Sequence, residues 1–302
     1  NGIYNTATVT LLTNAGTISG NRNGIYNGDG TISKITNSGV IQGTGDAGIY
    51  NFRGTLGDIS NLGASAKITG GTAGIYSRAA TAGSVTNEGT IQGGSYGIYA
   101  SGTMGNITNS GMIDGLEYTG IWLSGGTLGN ITNTASGTIQ GGTAGIYNSN
   151  TIGNVTNNGT IFGNSYGIYN STLMGDVVNT GSIIGTSYYG IYNGDTMGSL
   201  TNSGTIRGGS YGFYNDGTMG DLNNSGTIEA TQTHGIYNVG TIGTLNNSGR
   251  ILGLTSNAIY NSGGTITTLS NSGTISGDAT AIYNAGTITS LVNHGTIAAS
   301  VH

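Results

Sequence analysis

The sequence specifies an all-β chain wound as a parallel β-helix, or β-solenoid, and three observations lead there. A Gly-Ile-Tyr-Asn segment, or a close variant, returns thirteen times in 302 residues, with its aromatic at Tyr4, Tyr26, Tyr50, Tyr76, Tyr99, Trp122, Tyr147, Tyr169, Tyr192, Tyr214, Tyr237, Tyr260 and Tyr283. The interval is 22 to 26 residues, most often 23. Finally, Gly 61, Pro 0 and 6% charged residues suit a chain whose backbone amides are all wanted for ladders, since proline would withhold one. A period of this length built from short extended runs marks one supersecondary unit stacked many times. The expectation is one continuous, right-handed solenoid over 1–302, about 13 turns of ~23 residues each. At roughly 4.8 Å between strands it would form a rod about 60 Å long.

Each element of the unit can be justified in order from Gly190 to Ser210. Gly190-Ile191-Tyr192-Asn193 and Thr196-Met197 are short extended runs, followed by Leu200-Thr201-Asn202 and Thr205-Ile206-Arg207-Gly208, with Gly, Asn and Ser at the corners. Their aliphatics form four columns: Ile168, Ile191 and Phe213; Ile152, Met197 and Met219; Val155, Leu200 and Leu222; Ile161, Ile206 and Ile228. Side chains of a strand alternate, so the neighbours of these columns face outward. The site after the fourth aliphatic reads Ser19, Gln42, Gln92, Asp114, Gln140, Phe162, Arg207, Glu229 and Leu252, a variety expected of solvent. Two or three extra residues at Gly63–Lys67 and Thr134–Ser136 predict short loops or bulges.

One corner holds asparagine in every turn: Asn14, Asn37, Asn61, Asn87, Asn109, Asn133, Asn157, Asn179, Asn202, Asn224, Asn247, Asn271 and Asn293. Stacked amides can pass hydrogen bonds along the axis and satisfy corner backbone groups, so this column is read as a structural ladder.

The composition excludes several classes of function. A formal charge of −5 with only seven Lys plus Arg leaves no basic stripe for phosphate, which argues against nucleic acid. The stretch has neither an 18-residue apolar run nor a secretory leader, so no membrane span is expected in it. Regular aliphatic spacing separates the glycine content from that of a flexible linker. Zero cysteines fits a bacterial exported protein.

The runs Thr-Asn-Ser-Gly-Thr-Ile (201–206), Asn-Asn-Ser-Gly-Thr-Ile (223–228) and Ser-Asn-Ser-Gly-Thr-Ile (270–275) resemble the low-charge repeats of bacterial autotransporter passengers and related secreted surface adhesins. The similarity covers the whole chain. It implies an extracellular fibre displayed on a Gram-negative outer membrane, normally followed by a C-terminal β-barrel, though no barrel, cap or signal segment is in this stretch. Joining His302 to Asn1 would place the next aromatic 23 residues after Tyr283. Either the stretch is an excerpt of a longer chain, or copies stack end to end through open strand edges.

Catalysis needs clustered groups, and the nine Asp and three Glu are scattered. Asp176 and Asp221 share a column with Ser199 between them and, like Asp195 and Asp216, read as solvated corner residues. Arg207 and Glu229 should form a surface ion pair. Asp29, Asp195 and Asp216 could at most hold calcium weakly, and His234, His294 and His302 have no ligand spacing. No enzymatic role, cofactor or metal is expected. Asn-x-Thr strings at 106–108, 130–132 and 154–156 follow from the composition of the repeat.

Surfaces remain. If Ile of Gly-Ile-Tyr points inward, the aromatic points outward and forms a stripe of twelve Tyr and one Trp. A second set, Tyr166, Tyr189 and Tyr211, lies three residues before Tyr169, Tyr192 and Tyr214, and Tyr96 and Tyr118 accompany Trp122. These aromatics either stack structurally between turns or offer a binding face. Outward Thr columns (Thr103, Thr127, Thr151; Thr108, Thr132, Thr156) reflect plain β-propensity. The functional expectation is a structural and adhesive bacterial surface fibre, partnered by copies of itself end to end or laterally. The alternative is a module that binds host or matrix glycans, or a receptor, on the Tyr stripe.

Overall fold

The architecture is seen in a computed structural model that describes residues 1–299. The residues 300–302, and with them the closing register and ligand reading of His302, lie outside the described residues. Among the described residues there is no helix, and the strands form a parallel β-solenoid of about thirteen turns. Within residues 1–153 and within residues 154–299, strands pair with their counterparts one period away, parallel and in the register that the repeat demands. Ile3, Tyr4 and Asn5 face Ile25, Tyr26 and Asn27, and Ile206 and Arg207 face Ile228 and Glu229.

Two compact units meet at Gly153 and Asn154 in the chain. In the first, the Gly-Ile-Tyr-Asn strands make one sheet (Ile3–Asn5 through Ala144–Asn148), and the Thr-Ile-x-Gly strands a second (Thr17–Gly20 through Thr138–Gly141). A third sheet lies between them in sequence, either as unbroken strands such as Thr31–Asn37 and Thr55–Asn61 or as pairs such as Thr103–Met104 with Ile107–Asn109. The second unit repeats the plan, from Val155–Asn157 to Thr296–Ala299, and returns to unbroken strands at Thr241–Asn247.

The four aliphatic columns are the core. Ile168, Ile191 and Phe213 are fully buried, as are Val155, Leu200 and Leu222 and Ile161, Ile206 and Ile228, while Ile152, Met197 and Met219 are nearly so. Along the first sheet, as at Ile191, Tyr192 and Asn193, Ile and Asn are buried and the Tyr between them is half-buried, the alternation of a strand with one face on a core; Tyr50, at 7% exposed, departs from it. At the site after the fourth aliphatic, Ser19, Gln42 and Arg207 are exposed as expected. Asp114 and Leu252 are not: they are 4% and 7% exposed, and Asp114 accepts a hydrogen bond from Gln92 Nε2 at 2.9 Å. The two insertions are turns over Gly63–Ala66 and Thr134–Ser136, each closed by a backbone bond, and Lys67 already opens the next strand. Gly63 takes φ 86°, a conformation that glycine enters without steric cost.

The asparagine corner is a ladder. In the first unit Asn14 Nδ2 donates to Asn37 Oδ1, and the bonds continue through Asn61, Asn87 and Asn109 to Asn133, each 2.8 Å. In the second, Asn157, Asn179, Asn202, Asn224, Asn247, Asn271 and Asn293 are joined in the same way, again at 2.8 Å. The amides also reach carbonyls of their own turn and of the next, as where Asn202 Nδ2 approaches Gly204 O at 3.2 Å and Thr227 O at 3.1 Å.

Two further columns were not apparent from the sequence. The Asn that closes Gly-Ile-Tyr-Asn is also bonded turn to turn, from Asn5 to Asn27 to Asn51, and from Asn170 through Asn193, Asn215, Asn238 and Asn261 to Asn284, at 2.7 to 2.8 Å, and all of these but Asn284 are buried. A third column runs on the outside, where the middle sheet's strand is divided. Asp58 Oδ1 accepts the N–H of Ser84, Ser84 Oγ that of Asn106, and Asn106 Oδ1 that of Asn130; in the second unit Asn154, Asp176, Ser199 and Asp221 do the same for Asp176, Ser199, Asp221 and Thr244. This corrects the reading of Asp176 and Asp221 as merely solvated. They stand in for a missing backbone partner. The preceding glycine is a consequence, because a Cβ at Gly129, Gly153, Gly220 or Gly243 would meet the side-chain oxygen projecting from the turn before.

Candidate functional site

The aromatics of the first sheet follow one another from turn to turn, and their geometry decides what they can do. Tyr4, Tyr26, Tyr50, Tyr76 and Tyr99 stack with centroids 4.5 to 5.3 Å apart and planes within 22°. In the second unit Tyr169, Tyr192, Tyr214, Tyr237, Tyr260 and Tyr283 stack at 4.7 to 5.3 Å. The spacing is simply that of parallel strands. Rings this close cover one another's faces, so the column presents edges and hydroxyls outward.

Beside it in the second unit runs the other set. Tyr166, Tyr189 and Tyr211 follow one another at 5.4 and 5.5 Å, and each lies within 5.5 Å of Tyr169, Tyr192 or Tyr214. His234 continues this column as a fourth ring, 5.7 Å from Tyr211 and 4.9 Å from Tyr260. Its place three residues before Tyr237 was the signal in the sequence, obscured because histidine invites a search for metal ligands. Burial keeps His234 below the usual imidazole range, and burial raises Tyr189, Tyr211 and Tyr214 above the usual phenol range.

The stacking breaks at Trp122. Its ring stands at 88° to Tyr99, 5.2 Å away, and at 75° to Tyr147, 5.9 Å away. Tyr96 lies tilted against it at 5.1 Å, with Tyr118 stacked 6.0 Å beyond. Together with Thr119 and Thr143 these rings line a cavity of about 300 Å³. None of its lining residues carries a charge. Tyr96, Tyr118 and Trp122, which the sequence had grouped, are therefore brought together, and Thr119, Thr143 and Tyr147 join them. Behind the break the buried Asn column is also interrupted, by Ser77, Ala100 and Leu123. Ser77 Oγ and Trp122 Nε1 are buried there without a hydrogen-bond partner.

No protein-family model, curated protein or solved structure matches this chain. The site must be read from its own chemistry. Among the described residues, no three His, Cys, Asp or Glu side chains come together in a way that could hold a metal ion. Arg207 and Glu229 form the expected surface pair at 3.5 Å, worth about 0 to 1 kcal/mol. Asp195 and Asp216 are exposed at corners, where Asp195 accepts from Thr196 Oγ1 and Asp216 lies 3.5 Å from the Tyr192 hydroxyl. Aromatic walls, uncharged hydroxyls and a small cavity can bind and orient a ligand. The six lining residues are aromatic or carry uncharged hydroxyls.

Proposed function

We propose that this chain is a structural and adhesive fibre segment of a bacterial cell surface, of the autotransporter-passenger type, that associates with copies of itself and performs no catalysis. The observation that carries the reading is the investment of the repeat in axial cohesion. Two buried amide columns and one outer column of side-chain acceptors join successive turns within each unit. Carboxylates that could serve an acid or base, Asp58, Asp176 and Asp221, are engaged in that cohesion by accepting backbone N–H groups. A chain with 6% charged residues supports lateral association, because little repulsion opposes it.

The test is to display the chain on a non-adherent bacterium through an unrelated anchor and to coat inert beads with the purified chain. Clumping of both, and inhibition by added soluble chain, is expected. Beads that remain dispersed and cells that neither clump nor attach to a surface would sink the proposal. A second reading, a ligand-binding module, is favoured at one place only, the break at Trp122.

A further inference from the structure

The tyrosine columns and the Trp122 cavity are both aromatic, but the first-sheet column of the first unit stacks face to face, whereas four rings around Trp122 line a cavity. A ligand that packs its flat side on an aromatic ring needs an unpaired face, and the 4.5 to 5.3 Å stacking leaves few of these along the columns. At Trp122 the neighbouring planes stand at 75° and 88°, so the face-to-face pairing ends and a concave site opens. Its edge is formed by Tyr118, which is 51% exposed.

The lining defines the ligand. Four aromatic rings require an apolar face, the hydroxyls of Thr143 and the tyrosines require hydrogen-bonding groups at the rim, and the absence of charge from the lining removes any reason for an ionised ligand. A volume of about 300 Å³ has room for one six-membered ring with its substituents. A pyranose has this form: axial C–H bonds on one face, hydroxyls around the edge, and no charge. The interruption of the buried Asn column at Ser77, Ala100 and Leu123 lies directly behind the site. The ladder is relinquished from Ser77, beside Tyr76, through Leu123, beside Trp122, so the two columns both depart from their rule in the turn of Trp122. We infer that the cavity formed by Tyr96, Tyr118, Trp122 and Tyr147 is a binding site for a neutral pyranose, one terminal or internal sugar of an uncharged glycan.

This goes beyond the fibre reading and does not rest on it, since bead clumping is measured without sugar. Trp122 is the only tryptophan in the chain, so its emission reports on this site alone. The purified chain is titrated, with excitation of the indole, against methyl glycosides of glucose, galactose, mannose and N-acetylglucosamine and their neutral oligomers. A saturable change in emission is expected for at least one of them. Tyr118→Ala and Thr143→Val, each checked for an unchanged circular dichroism spectrum, should weaken that sugar at least tenfold, whereas Tyr214→Ala in the stacked column should leave it within twofold. No saturable response to any member of the panel would overturn the inference. So would a response to 1-hexanol with none to the sugars, which would assign the cavity to an apolar ligand, or equal binding by wild type and both cavity variants.

Discussion

A single ladder asparagine makes three kinds of contact at once, and its removal tests whether the amide or merely its volume matters. Replacing Asn202 by leucine keeps the size but leaves Asn179 Nδ2 without its acceptor and Asn224 Oδ1 without its donor. Unsatisfied buried groups of this kind cost about 1 to 3 kcal/mol each. We expect Asn202→Leu to destabilise by about 2 to 4 kcal/mol in urea unfolding, against less than about 0.5 kcal/mol for an exposed change such as Asn158→Ser. Equal midpoints would show that the column is only a filled corner. Titration gives a second test at this scale. His234 is held low by burial, so its stabilising contribution is complete above the unfolded value of 6.5 and is lost as the pH falls through its folded value. His234→Tyr should flatten the urea midpoint between pH 7 and pH 5. Tyr76 is pushed by burial to about 12, which stabilises fully below the unfolded value of 10.0 and progressively less up to about 12. Tyr76→Phe should remove part of the alkaline loss between those limits; an unchanged alkaline profile would show that burial of Tyr76 contributes nothing.

At the scale of the element, a strand here is stable only through the strands before and after it. The first sheet shows what happens when one column changes type: Asn51 Nδ2 donates to the carbonyls of Gly54 and Thr81, but the residue one turn on is Ser77, whose hydroxyl is buried and unpartnered. Ser77→Asn should extend the amide column by one rung, remove an unsatisfied group and stabilise by about 1 kcal/mol. A loss of stability would mean that the corner there has closed around serine and that the interruption is set by the backbone. The middle sheet makes the complementary point. Its strand is divided at the Gly-Asx and Gly-Ser pairs from Gly83-Ser84 to Gly220-Asp221, though not at Gly57-Asp58, and in the divided turns a side chain of the turn before supplies the acceptor that the backbone ladder elsewhere supplies.

At the scale of the whole molecule, repetition predicts how length and stability are related. Turns bury their aliphatics against neighbours, so stability is close to a sum of unit and interface contributions. Deleting residues 191–212, one full turn, joins Gly190 to Phe213 and carries every column across the junction. We expect the same far-ultraviolet circular dichroism per residue and a small fall in melting temperature. Deleting 191–201, half a turn, removes Ile191, Met197 and Leu200 together, leaves three of the four columns without a residue in that turn, and should give a protein that does not fold cooperatively. If both deletions behave alike, register along the columns is not what holds the turns together.

The sequence by itself determined the period, the parallel register, the four aliphatic columns and one asparagine ladder. Each is a property repeated every ~23 residues, and repetition multiplies a weak local preference into an unambiguous pattern. It also located the turns at Gly63 and Thr134, which appear as departures from that pattern. Only the tertiary structure decided how side chains of successive turns meet. Asn193 and Asn202 look alike in sequence as corner residues, yet it took the fold to show that both point inward and form separate ladders. Asp176 and Ser199 differ in charge but do the same work for the next turn's N–H. The tyrosines of the stripe could be placed outward from alternation alone, whereas whether their faces were open or covered depended on the distance and tilt between rings nearly a full period apart. That is a property of stacking, and it is why the cavity at Trp122 stands out in three dimensions while in the sequence it is one aromatic exchanged for another.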